Sequence, residues 1–307
     1  MTNGQSAYST ISRPSITVHA PAKINLILRI LDRRHDGYHN LWSIMHTVAL
    51  EDRVKISIIS SQSGIRLTCD DKGLAVDRTN LVWKAASTVL DQARSSIGVD
   101  IDLCKRIPMG AGLGGGSSNA AATILALNQL LNLGWSTARM GEIGQTLGSD
   151  VAFFLFAPSA IVSGRGEMVK PITIQGRRWV VLAKPEFGIE TKWAYQELVA
   201  TRPEVRPLST DHLRIDHGSE VTWNELADRA ENDFETPVFA KHPSLGRIKR
   251  TLLEMGARCA LLSGSGATVF GLFEDESSAR RAGNRLTEDK ELKIFVVPTS
   301  SGSLETA

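Results

Sequence analysis

A chain that places five glycines in the seven positions from 110 to 116 has a use for bare backbone there. Each glycine costs about 0.5–1 kcal/mol relative to alanine in regular structure. The run is Pro108-Met109-Gly110-Ala111-Gly112-Leu113-Gly114-Gly115-Gly116-Ser117-Ser118-Asn119, and the apolar AAATILALNQLL follows it. VDIDLCKRI alternates as a strand just before, and Asn119 to Leu131 is alanine- and leucine-rich, so the pattern predicts strand, glycine loop, helix. The first turn of a helix presents unpaired N–H groups and the equivalent of about +0.5 charge, and glycines let a phosphate approach them. This placement favours an anion cradle over a flexible linker. Ser117, Ser118 and Asn119 read as helix caps or as donors to phosphate oxygens.

Two familiar phosphate loops fail on context. Gly110 to Gly115 fits GxGxxG, but a dinucleotide fold then needs a second strand ending in an acid about 20 positions on. Here Gly134-Trp135 falls at that distance, between two predicted helices. A Walker A loop closes on Gly-Lys-Ser/Thr, whereas this run closes on Gly116-Ser117-Ser118.

The first third reads mainly as strand: ITVHA, INLILRIL, LWSIMHTVAL, VKISII and IRLTC, with a turn at DRRHDG. Thr79 to Arg94 has helical spacing, and Ser136 caps a further helix running to Leu147. The pattern loosens between Gly164 and Gly176, which sets the expected domains at 16–170 and 171–300. Beyond it come the strand RWVVLAKP, helices near 191–199 and 220–230, the helix SLGRIKRTLLEMG, strands CALLS and TVFGLF, the helix SSARRAGNRL and the strand KIFVVP. That order suggests a ferredoxin-like α+β layer.

Composition narrows the classes. A chain of 307 residues, 42% hydrophobic and 22% charged, buries a sizeable core, and a net charge of +2 without a basic block gives no electrostatic footprint for nucleic acid or membrane. Cys69, Cys104 and Cys259 lack metal or disulfide spacing, which fits a reducing, cytoplasmic setting. His35 and His39 stand four apart as zinc ligands do, but Asp36-Gly37 between them reads as a turn. No apolar run approaches the roughly 20 residues of a membrane span. The opening MTNGQSAYSTISRPS is expected to be a disordered start or a short transit-like remnant. A soluble protein, monomer or homodimer, acting on a small molecule is expected.

At this point the motifs resemble a family. The loop from Pro108, APAKINLILRI at 20–30 and LLSGSGATVFGLF at 261–273 resemble the three motifs of the galactokinase, homoserine kinase, mevalonate kinase and phosphomevalonate kinase superfamily. DGYHNL at 36–41, TLGSDV at 146–151 and END at 231–233 narrow the resemblance to the branch acting on cytidine diphospho-methylerythritol in non-mevalonate isoprenoid synthesis. It runs from about residue 16 to 298. Ala111, Ser149 and Ser265 depart mildly from the pattern, and 200–220 matches none of it.

The resemblance implies an α+β, two-domain small-molecule kinase fold, with an N-terminal ribosomal-S5-domain-2-like domain and a C-terminal ferredoxin-like domain. It implies ATP along the glycine loop. Mg2+ is expected for the charge of the phosphates, with Ser117 able to contact a nucleotide-bound ion, while no carboxylate cluster in the sequence announces a dedicated metal site. Asp150 would be the catalytic base, with Lys23 paired to it. Asn25, two residues along the same strand, can reach that site. Tyr38, His39 and an aromatic near 191–195 would recognise cytosine, with Tyr195 fitting the spacing better than Trp193. Ser263, Gly264, Ser265 and Gly266 would close over substrate phosphates. Another kinase of the superfamily, a dinucleotide-dependent oxidoreductase and a non-catalytic nucleotide-binding regulator are the alternatives.

Overall fold

The computed structural model describes residues 14–59, 63–156, 158–202, 204–217, 220–300, 302 and 304–306. Most of the opening stretch read as a disordered or transit-like start lies outside them.

Two long strands, β1 (Ser15–Arg33) and β2 (His39–Ile59), form an antiparallel pair turned at Gly37, whose φ of +86° suits a residue without a Cβ. There follow β3 (Gly64–Cys69), α1 (Leu81–Gln92), β4 (Gly98–Cys104), α2 (Gly115–Leu130), α3 (Thr137–Leu147), α4 (Val151–Phe156), β5 (Ser159–Gly164) and β6 (Met168–Pro171). Next come β7 (Thr173–Ile174), β8 (Trp179–Pro185), α5 (Thr191–Thr201), α6 (Thr210–His217), β9 (Glu220–Val221), α7 (Trp223–Asp228) and β10 (Glu231–Asn232). The chain continues through α8 (Glu235–Lys241), α9 (Pro243–Glu254), β11 (Cys259–Leu262), β12 (Val269–Phe273), α10 (Glu276–Leu286), β13 (Leu292–Pro298) and β14 (Glu305–Thr306).

The larger sheet runs β10-β1-β2-β4-β3, with β14 on β1 and the β5–β6 hairpin on β2. The smaller sheet runs β11-β12-β8-β13, all antiparallel. Together with α9 and α10 it has the strand–helix–strand–strand–helix–strand order that the sequence suggested, so this part of the chain is ferredoxin-like. One core joins the larger sheet to α1–α4 through residues such as Val54, Leu103, Val89, Leu127 and Phe153. A second lies between the sheets, where Ile24 and Ile44 meet Val180 and Leu272. A third packs the smaller sheet on α5, α8, α9 and α10.

One irregularity in β1 positions the site. Its pairing with β2 shifts register between Pro21 and Ala22, at a residue that has no N–H to give a ladder. Burial changes side there. Val18 and Ala20 belong to the helix-side core, whereas Ala22, Ile24 and Leu26 belong to the core between the sheets. Lys23 and Asn25, the intervening residues, therefore face the helices.

Within 200–220, which no motif explained, the described residues 204–217 carry α6 and reach β1, β2 and β10. Trp42 donates its indole N–H to Asp216 at 3.3 Å, His212 Nε2 lies 3.1 Å from Glu231, and Arg29 donates to the carbonyl of Arg206 at 3.2 Å.

Candidate active site

Three glycines of the loop, Gly110, Gly112 and Gly114, take φ of +58°, +74° and +70°. Only a residue without a Cβ adopts that left-handed geometry at little cost. Gly114 is the N-cap of α2 and contributes no side-chain cap bond. The helix thus begins at Gly115 rather than at Asn119, and Ser117 and Ser118 lie inside its first turn, with Asn119 just beyond it, instead of capping it. By helix geometry the N–H groups of Gly115, Gly116 and Ser117 have no partner within the helix. They open on a cavity of 490 Å³ lined by residues 108–117, with Lys105, Asn119, Asn80 and Leu81 on its walls. Ser118 is fully buried behind it, its hydroxyl without a partner among the described residues.

Lys23 sits directly under this loop. Its backbone N–H donates to the carbonyl of Leu113 at 2.9 Å, and a Cβ built on Gly114 would lie 3.0 Å from its Cγ. Its ammonium donates to Asn25 Oδ1 at 2.6 Å and lies 3.5 Å from Asp150 Oδ2. Asn25 in turn donates to Ser43 Oγ at 2.9 Å, and Ser43 donates to the carbonyl of Ile27 at 2.7 Å. Asn25 is only 1% exposed, so what it offers the site is the orientation of Lys23. Asp150 immediately precedes α4 and is the least buried member of this chain of groups.

Asp150 opens on a second cavity, of 700 Å³, which Tyr38, His39, Tyr195, Thr191, Lys192 and Arg165 also line. The rings of His39 and Tyr195 stack at 5.2 Å, and Tyr195 and Phe234 meet in a T-shaped pair at 4.9 Å. Trp193, the alternative aromatic, packs instead against His242. Tyr38 stands exposed on its turn with the Arg165 guanidinium 5.4 Å over its ring. Burial, with Arg33 and Arg202 nearby, holds His39 below its usual 6.5, so at neutral pH one ring nitrogen donates and the other accepts. Burial and the neighbouring Asp150 push the Tyr195 hydroxyl up to about 12, leaving it protonated.

The C-terminal glycine loop closes the third side. Ser263 Oγ donates to the carbonyl of Gly112 at 3.0 Å, and a Cβ built on Gly264 would lie 3.4 Å from Lys23 Nζ. Ser265 Oγ is 3.0 Å from Thr191 Oγ1, at the start of α5. Gly266 packs on Ile189 and Leu262. Asn232 holds the loop by donating to the carbonyls of Leu262 and Gly264 at 2.7 and 2.8 Å. In the sequence Asn232 stands out only as part of END at 231–233, and nothing marks Ser43, Lys105 or Thr191. The side-chain partners that give these residues their place lie 14 to 74 residues away, so local pattern carries no signal for them. A larger cavity of 790 Å³ near His46 and Arg177 contains none of these groups.

Residues 80–157 match the GHMP kinases N terminal domain and residues 215–291 the GHMP kinases C terminal family. A protein of Citrifermentans bemidjiense named 4-diphosphocytidyl-2-C-methyl-D-erythritol kinase is 42% identical over 263 residues, 86% of this chain and 91% of its own length. One of the same name from Geobacter metallireducens is 39% identical over 288 residues, covering 92% of this chain and 98% of itself. The chain belongs to the 4-diphosphocytidyl-2-C-methyl-D-erythritol kinase family. A crystal structure of 4-(cytidine 5'-diphospho)-2C-methyl-D-erythritol kinase superposes with a TM-score of 0.78 at 34% identity, over 93% of this chain and all of the other. Mevalonate kinase of L. major, at 14% identity and a TM-score of 0.70, shares the family's fold.

Proposed function

We propose that this chain transfers the γ-phosphoryl group of ATP to the 2-hydroxyl of 4-diphosphocytidyl-2-C-methyl-D-erythritol, in non-mevalonate isoprenoid precursor synthesis. The observation that carries this is the place of Lys23: its stem packs under the glycine loop and its ammonium lies 3.5 Å from a carboxylate that lines the second cavity. Nucleotide phosphates along the loop and an alcohol beside Asp150 would then meet at one positive charge. Such transfer depends on positioning and on neutralising charge at the equatorial oxygens.

In the reaction the acceptor oxygen bonds to the γ-phosphorus while the bond to the β–γ bridging oxygen breaks, and ADP leaves with that electron pair. Asp150 takes the hydroxyl proton, and Lys23 faces the charge that develops. Residues 108–119 hold the nucleotide: 108–117 and Asn119 by lining its cavity, and the buried Ser118 by supporting the helix start. Tyr38, His39 and Tyr195 receive the cytosine, and Ser263–Gly266 closes on the acceptor's phosphates. Magnesium fits as an ion brought by ATP: Ser117, on the nucleotide cavity, offers an oxygen donor, and among the described residues no group of three or more His, Cys, Asp or Glu forms a cage. It would supply charge neutralisation to the phosphates. Division into domains 16–170 and 171–300, a cytoplasmic site of action and a monomeric or homodimeric state belong to the same proposal. Among the described residues no helix is long and apolar enough to cross a membrane.

ADP release measured with three acceptors tests it. The cytidine acceptor should turn over, its uridine analogue should lose about 1–3 kcal/mol of transition-state binding through mismatched polar edges, and methylerythritol phosphate without the nucleotide should lose kcat as well as affinity. Equal kcat/KM for all three would remove the cytidylyl acceptor and leave only a kinase of the superfamily.

A further inference from the structure

A carboxylate outside both cavities organises the nucleotide loop. Asp52, on β2, is 0% exposed, and its two oxygens have separate partners. Oδ1 accepts from the backbone N–H groups of Arg106 and Ile107 at 2.6 and 2.9 Å, where the chain leaves β4 for the glycine run. Oδ2 accepts from Asn119 Nδ2 at 2.9 Å and from the ammonium of Lys105, which also donates to Asn119 Oδ1 at 3.1 Å. That ammonium is 3.3 Å from where a Cβ on Gly115 would stand, beside the first residue of α2, and Lys105 lines the nucleotide cavity. Lys105, Asn119 and two peptide groups thus converge on one buried anion.

We infer that Asp52 is a positioning residue for ATP: Oδ1 fixes the entry of the loop, and Oδ2 holds the Lys105 charge and Asn119 against the start of α2. The inference rests on the nucleotide-loop reading above. Bonds to an ionised acceptor are roughly twice as strong as neutral ones, and a buried carboxylate that loses a partner is costly to leave unpaired. Without the Oδ2 anchor, the Lys105 ammonium would leave the helix start and the loop would no longer present its N–H groups in one arrangement. The acceptor cavity shares none of these groups, so the effect belongs to the nucleotide alone.

Asp52→Asn is the informative change. Its carbonyl keeps the role of Oδ1, while its amide turns donors towards Lys105 and Asn119. In the full chain, affinity for a non-hydrolysable ATP analogue should fall about tenfold and KM for ATP should rise with it, while KM for the cytidine acceptor stays within about twofold. Lys105→Gln should weaken ATP similarly, and the double variant should be no worse than the poorer single one, because the two act as a unit. Unchanged ATP affinity in a folded Asp52→Asn, or an equal rise in both KM values, overturns the inference. If Asp52→Asn does not fold, Lys105→Gln decides alone, and unchanged ATP affinity there overturns it. Gly116→Ala separates this from the loop itself: ATP weakened by Gly116→Ala but not by either of the other changes leaves the loop reading standing and removes Asp52.

Discussion

The Lys23–Asp150 pair makes a demand that single substitutions can check. Asp150→Asn keeps the shape and removes the proton acceptor, so kcat should fall by about 10²–10⁴-fold with KM for ATP little altered. Near-normal kcat would leave Asp150 as the residue before α4 and no more. Lys23→Met should also lower kcat, and the double variant should lose less than the product of the single losses, since each acts on the same reacting atoms. A second residue-scale consequence concerns acid. Burial holds His46, 2% exposed, down to about 3 from its ordinary 6.5, so it stays neutral in the fold while the unfolded chain takes up a proton. Stability from this group is therefore complete above pH 6.5 and is lost as pH falls towards 3, at up to about 1.4 kcal/mol per unit. Denaturant midpoints followed from pH 7 to 4 should fall along that slope. His46→Gln, which can still pair with Ser159 but does not titrate, should flatten it.

The glycine loop and its helix separate two demands on one element. Gly112 is left-handed, and a Cβ on it would run into the carbonyl of Ser263, so Gly112→Ala should destabilise the fold by about 1–3 kcal/mol. A Cβ on Gly116 meets nothing nearer than Leu81 at 3.6 Å, and alanine is the better helix former by about 1 kcal/mol. Gly116→Ala should leave thermal stability equal or higher while raising KM for ATP; an unchanged KM would move the phosphates away from the helix start. Gly115 serves less well for this, because its Cβ would crowd Ile107 and Lys105. Among the elements, those with a strong local signal were legible: α3 runs from Ser136 as its cap to Leu147, and the smaller sheet falls on short apolar runs such as WVVLAKP, CALL and VFGLF, which are buried almost throughout. The start of α2 was not, because glycine has low helix propensity and what holds Gly115 helical is packing from Ile107 and the Asp52 cluster. The helix α6 escaped for a related reason: its sequence is polar, and partners such as Trp42 and Glu231 lie far away along the chain.

At the scale of the molecule, the site is where three distant parts of the chain share partners: β1 gives Lys23 to the loop, the loop takes Ser263 from the smaller sheet, and Asn232, paired to β1, holds that sheet's glycine turn. The sequence shows each part through its glycines or its Pro-Ala-Lys-Ile-Asn run. It does not show Asp52, Ser43 or Asn232 at work, because a buried polar residue acquires its role from whatever the fold sets against it. The register shift after Pro21 adds a constraint of another kind. The strand β1 is spelled in two frames, one ending at Ala20 and one beginning at Ala22, and Lys23 carries its meaning only in the second. Many side chains along it can be exchanged for others of similar size, but gaining or losing a single residue between Val18 and Lys23 would turn the ammonium into the space between the sheets. What this part of the chain has to preserve is its length.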